Sequence, residues 1–147
     1  LDRRHRKLTR RQRRLLGEAA FLYYLSRGRL LNIPHPVFVR DRGGWALSVR
    51  RGGQEVVRSP LPAELQGIVT QPGSKRAAIV RRGDDWHVIV VVASSPAGAD
   101  DRIREMLGQD LLEDLGPARA LRLAARFRRY GPFALASPEA LELPEDE

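Results

Sequence analysis

Two stretches of this chain, VRDRGGWALSV (39–49) and VRRGDDWHVIV (80–90), align without a gap. In each, a Val-Arg pair leads into a turn rich in Gly and Asp, and a Trp opens an alternating apolar run. A turn that short admits only antiparallel pairing, because parallel neighbours need a crossover of a dozen or more residues. Around the first stretch, PVFVR (36–40), WALSVR (45–50) and EVVRS (55–59) are separated by DRGG and RGGQ, which predicts a meander. Around the second, KRAAIVRR passes through GDD into WHVIVVVAS. The matched pairs Val39/Val80, Arg40/Arg81, Trp45/Trp86, Leu47/Val88 and Val49/Val90 fit a degenerate internal duplication, and equally the convergence of two hairpins. The last strand is apolar on both alternating sets and is expected at the centre of the sheet, covered on both faces.

Helical signals flank the strands. Thr9 and Gln12 have the spacing of a capping box, so a first helix is expected from about Arg10 to Arg27, stopped by Gly28. Leu15, Leu16, Ala19, Ala20, Leu22 and Tyr23 share one face of it, and Phe21, Tyr24 and Leu25 fill much of the rest. Its second half therefore belongs in the core, while the Arg-rich start projects. A short helix is expected from Pro62. Asp100 or Asp101 can cap a further helix over Ile103, Met106, Leu107, Leu111 and Leu112, ended by Gly116-Pro117. Pro117 suits the first position of another, which ends at Tyr130-Gly131.

The expected fold is α+β: an antiparallel sheet of about five strands in two hairpin units, packed by the N-terminal helix and two C-terminal helices. With 147 residues and no Cys, one compact domain over 1–136 can bury enough surface without a metal or disulfide, leaving 137–147 as an acidic, flexible tail. The longest apolar run, Val88–Ala93, is far short of a membrane span. Glu18 interrupts the apolar stretch that follows the basic start, so a secretory leader is not expected and a cytoplasmic location is.

Charge is the main pointer to function. The formal net charge is +8, and its distribution is uneven: residues 1–14 hold eight cations against one Asp, while 137–147 hold Glu139, Glu142, Glu145, Asp146 and Glu147. All cations but Lys7 and Lys75 are Arg, a bias that a GC-rich genome also produces. Polyanions, above all nucleic acid, are the partners such a balance favours. Arg10, Arg11, Arg13 and Arg14 would stand in the first turns of the first helix, where the macrodipole disfavours cations by about 0.3–1 kcal/mol each at low salt. Helix stability does not ask for them, whereas a bound phosphate would relieve the repulsion. Arg3, Arg4, Arg6 and Lys7 extend the same cluster. On the last helix, Arg119, Arg122, Arg126 and Arg129 form a ridge beside the apolar stripe Ala120, Leu123, Phe127 and Tyr130. That ridge could track a phosphate backbone, although a solvated face opposing the dipole explains it equally well.

Catalytic signatures are lacking. No G-x-S-x-G, Walker loop, dinucleotide fingerprint or H-E-x-x-H pattern is present, and His35 and His87 lack partners at metal-ligand spacing. No cofactor is expected. A dispersed carboxylate site would be invisible at this level. Trp45 and Trp86 are expected to pack on the core rather than stack on bases. Leu8–Ala20 resembles the opening helix of CRM-type RNA-binding domains, but no two Gly have the Gly-x-x-Gly spacing of that family's loop. Arg10 and Arg14 have the spacing of a PilZ receptor's RxxxR, without the motif that follows it there. The expectation is a non-enzymatic nucleic-acid-binding protein, with the acidic tail as a competitor for the basic head. The alternative is an interaction or regulatory module docking on an acidic protein.

Overall fold

The structure is a computed structural model in which residues 8–131 are described. Lys7 and the residues before it, and the acidic stretch 137–147, lie outside that range. The chain forms two compact units. One comprises the residues up to Gly28 and those from Arg104 onward, and the other is Arg29–Ile103.

The helical unit begins with α1 (Arg10–Ser26), and both halves of its capping box are closed. Thr9 Oγ1 accepts the Gln12 N–H at 3.1 Å, and Gln12 Oε1 accepts the Thr9 N–H at 2.9 Å. Two of the four orphan donors of the first turn are thereby satisfied without water. Of the predicted face, Leu16, Ala19, Ala20 and Tyr23 are buried and Leu15 and Leu22 half-buried, and Tyr24 from the neighbouring positions is buried as well. Leu25 is exposed instead of filling the core, and Phe21 is half-buried with the Arg104 guanidinium 4.7 Å from its ring centroid. α2 (Pro96–Leu115) starts in the other unit and continues into this one. α3 (Pro117–Tyr130) follows after Gly116, whose φ of +84° turns the chain between the two helices.

α1 and α2 cross at glycine. A Cβ on Gly17 would lie 2.6 Å from the Arg104 carbonyl oxygen, and one on Gly108 would lie 3.1 Å from the Gly17 nitrogen. The backbones approach as closely as they do because neither position carries a side chain.

The β unit holds six strands in two three-stranded antiparallel sheets, where about five strands in one sheet were expected. The extra strand is β1 (Leu30–Ile33), only four residues long and set between Gly28 and Pro34. One sheet has the order β1–β5–β6, with β5 spanning Ser74–Arg82 and β6 spanning Asp85–Ala93. The other is the expected meander of β2 (Phe38–Asp41), β3 (Gly44–Arg51) and β4 (Gln54–Pro60). The central strand of the first sheet is therefore β5, not β6. β1 takes the free edge of β5, and the four residues Ala77–Val80 are buried on both faces. A doubly apolar pattern reports burial, which β6 also has in part, but not hydrogen-bonding neighbours.

The core lies between the sheets. Ile33, Ala77, Ile79 and Val90 of the first meet Leu47 and Val49 of the second, with Leu61 beside them. Trp45 and Trp86 are half-buried and pack against this cluster. The two aligned hairpins also share their register: Arg40 faces Trp45 and Arg81 faces Trp86, each pair one step from a two-residue turn. In the first pair the Arg40 guanidinium sits 4.7 Å from the Trp45 ring centroid. The helical start of α2 differs from expectation. Ser95, not Asp100 or Asp101, caps it, its Oγ accepting the Gly98 N–H at 3.0 Å. Asp100 instead pairs with Arg76 Nε at 2.7 Å.

Two polar devices hold the β unit. The expected short helix is a 3₁₀ segment, Ala63–Thr70, and its Gln66 acts like an extra strand residue. Gln66 Oε1 accepts the Trp45 N–H at 2.8 Å, while Nε2 donates to the carbonyls of Trp45 (3.1 Å) and Leu61 (2.8 Å). Gln66→Leu keeps the volume but orphans the Trp45 N–H, so it should cost about 1–2 kcal/mol, read as a lowered midpoint in denaturant.

The second device is a bulge. Val49 pairs with Val57 but Arg50 pairs with Glu55, so Val56 is left over in β4 and is exposed. The extra residue changes the parity of the strand and brings Glu55 and Arg58 to one side. Arg58 Nε and Nη2 donate to the Glu55 carboxylate at 2.9–3.0 Å, and the buried Ser48 Oγ donates to it at 2.7 Å. Those hydrogen bonds, from Arg58 first and Ser48 second, hold the Glu55 carboxyl below its ordinary value of 4.5. A lowered folded value means that the contact stabilises the fold above the unfolded carboxyl range and stops doing so as pH falls through the lowered value. Glu55→Gln should therefore melt below the native chain at pH 7, with the gap closing in acid. A gap that stays constant down to pH 3 would contradict this account of Glu55.

Candidate functional site

The Arg residues singled out in the sequence divide into three groups. Thr9 is the N-cap, so Arg10, Arg11, Arg13 and Arg14 stand at the first, second, fourth and fifth helical positions of α1. The first turn of α1 holds no acidic residue and its last turn no basic one, the reverse of what the dipole favours. Arg13 is half-buried: its Nη1 donates to the Leu8 carbonyl at 2.9 Å, and its Nε lies 4.0 Å from the Glu105 carboxylate on α2. Arg14 is 4 residues before Glu18 and 3.7 Å from it, a surface pair of little energetic weight. Arg10 and Arg11 are exposed and make no hydrogen bond or ion pair among the described residues.

The expected ridge on α3 is not continuous. Ala120 and Leu123 are buried as its apolar neighbours should be, but Arg122 and Arg126 are half-buried and engaged within the protein. Arg119 is exposed at the start of α3, about 15 Å along the axis from Arg129 at the 1.5 Å rise of a helix. What remains near α1 is the last turn. Gln12 and Leu15 of α1 face Leu121, Ala124, Ala125, Arg128 and Arg129 of α3 across a groove of about 520 Å³. The start of α1 thus adjoins the end of α3: Arg128 and Arg129 line the groove, and Arg10, Arg11, Arg13 and Arg14 flank Gln12 along the first turns of α1.

This arrangement alters the electrostatic argument. The negative end of the α3 dipole lies beside the positive end of the α1 dipole, so the two partly cancel. The local field is then set by the guanidinium groups, not by the helix terminus. Arg128 and Arg129 offset the α3 terminus that they cap, but the four Arg of α1 have no equivalent role. Arg128 is not among the expected contacts, because it lies off the spacing of Arg119, Arg122, Arg126 and Arg129. The available signal was Leu121, Ala124, Ala125 and Arg128, which recur at helical spacing one face away from the apolar stripe.

Elsewhere the chemistry is sparse. No group of three or more His, Cys, Asp or Glu that could hold a metal exists among the described residues, and none of their helices is long and apolar enough to cross a membrane. Arg3, Arg4, Arg6 and Lys7 fall outside the described residues. Comparison with protein-family models, curated proteins and solved structures finds no match for this chain.

Proposed function

We propose that this chain is a non-enzymatic nucleic-acid-binding protein that grips phosphates with the Arg cluster at the joined ends of α1 and α3. The observation that carries this reading is the placement of Arg10, Arg11, Arg13 and Arg14 at the start of α1, where the dipole disfavours them and Arg10 and Arg11 have no partner among the described residues, at the end of the helix that adjoins Arg128 and Arg129 of α3. Guanidinium groups donate two parallel hydrogen bonds to a phosphate, and an array of them neutralises successive phosphates along a backbone. Such contacts position a protein without reading sequence, so base preference should be weak. Arg119, far along α3, and the Arg residues before Leu8 would enlarge the contact. The five carboxylates of 137–147 would compete with the ligand for the same cations.

Titrating salt against the affinity for random-sequence DNA and RNA tests this. Six phosphate contacts give a slope of log K on log salt of about −5, and a loss of about a thousandfold between 50 and 200 mM. Absence of binding near micromolar at 50 mM salt would sink the proposal and leave an acidic protein surface as the better candidate partner.

A further inference from the structure

We infer that the groove between α1 and α3 receives the bases of a single-stranded nucleic acid, while the Arg cluster holds its phosphates; the inference rests on the reading above. A surface that only tracked phosphates would need cations alone. Here two cations, Arg128 and Arg129, line the same groove as an apolar floor of Leu15 of α1 and Leu121, Ala124 and Ala125 of α3. Its volume of about 520 Å³ falls in the ~300–1,000 Å³ range of sites that enclose small flat ligands, so it can take one or two bases.

A duplex cannot use that floor. Its bases are stacked inside and its outer surface is sugar and phosphate, so Leu121 and Ala125 would stay in water. A single strand offers both parts at once, an apolar base face and an anionic link between bases, at the spacing of neighbouring groups on one chain. Arg128 and Arg129 also offer guanidinium planes on which a base can stack. The Gln12 carboxamide oxygen accepts the Thr9 N–H, which leaves its NH₂ free to donate to a base carbonyl or a phosphate.

The test uses the full chain and three DNA probes with the same number of phosphates: a random single strand, its abasic counterpart, and a duplex. At equal salt the single strand should bind about tenfold to a hundredfold tighter than either of the others, the contribution of one stacked base. Ala125→Leu fills the groove at an exposed helical position without adding charge. It should abolish that preference while leaving duplex affinity and the circular dichroism spectrum unchanged. Equal affinity for the single strand and its abasic form, or a preference that survives Ala125→Leu, would overturn the inference while the phosphate reading stood. Failure of all three probes to bind would overturn both.

Discussion

Replacing Arg10, Arg11, Arg13 and Arg14 with Gln should weaken oligonucleotide binding about a thousandfold at 0.1 M salt and bring the salt slope from about −5 to about −2. The arithmetic follows from counterion release: each phosphate contact contributes about 0.9 decades of affinity per decade of salt on a duplex and about 0.7 on a single strand, and four of six are removed. The same substitutions should leave α1 folded. Thr9 and Gln12, which close the capping box, are untouched. Removing cations from the start of α1 relieves the mutual repulsion of the guanidinium groups and, at Arg10 and Arg11, part of the ~0.3–1 kcal/mol dipole penalty that an isolated terminus carries at low salt. Against this stand the loss of the hydrogen bond from Arg13 to the Leu8 carbonyl and the weak pair between Arg14 and Glu18. Binding and stability should thus move apart: affinity collapses while the melting temperature holds or rises. Arg residues retained for structure would show the reverse. Anisotropy titrations and thermal melts on the one variant read both quantities.

Gly17→Val should destabilise the protein by about 3 kcal/mol, the upper end of the usual range for overpacking. Helix propensity alone argues the other way, since Gly is the worst helix former apart from Pro. The contact decides the sign. A Cβ at position 17 would stand 2.6 Å from the Arg104 carbonyl oxygen, which is backbone and cannot swing aside. Either α1 and α2 separate, exposing Leu16 and Leu107, or the hydrogen bonds of α2 distort. Gly67→Ala is the control: nothing lies within 4 Å of a Cβ there and the φ is not positive, so it should be neutral or slightly stabilising. Chemical denaturation of both variants would check the pair.

Local signals in this chain were largely legible before the structure. The capping box at Thr9 and Gln12, the stop at Gly28, the two-residue turns and Pro117 each depend on residues within four positions, where backbone chemistry has few alternatives. What was hidden is non-local. The pairing of β1 with β5 joins Leu30 to Val80, fifty positions apart, and nothing in LLNI announces it. Val56 drops out of the ladder where Glu55 meets Arg58 and Ser48, a juxtaposition that appears only when the strands are side by side. Gly17 and Gly108 look like weak points in their helices until they are found to be where the helices touch.

The candidate site shows the same division. The anomaly of four Arg at the start of a helix was readable from the capping box alone. That α3 would bring Arg128 and Arg129 to those residues, and leave Arg119 at the far end, depends on the antiparallel packing of α3 on α1. That packing also moves the argument from the dipole to the guanidinium groups. The periodicity of Arg119, Arg122, Arg126 and Arg129 was real but did not make a free surface, because two of the four are drawn into contacts within the protein.

The central claim is that the joined ends of α1 and α3 bind a nucleic-acid backbone. Its most direct test is an NMR titration of the labelled full chain with a short random-sequence oligonucleotide at low salt, following backbone amides and Arg side-chain Nε–H groups. The account predicts that the largest shifts fall on Arg10–Arg14, Arg128 and Arg129, and that they fade as salt is raised. Saturable shifts confined to residues of the β unit, Arg29–Ile103, with the Arg10–Arg14 signals unmoved, would contradict it.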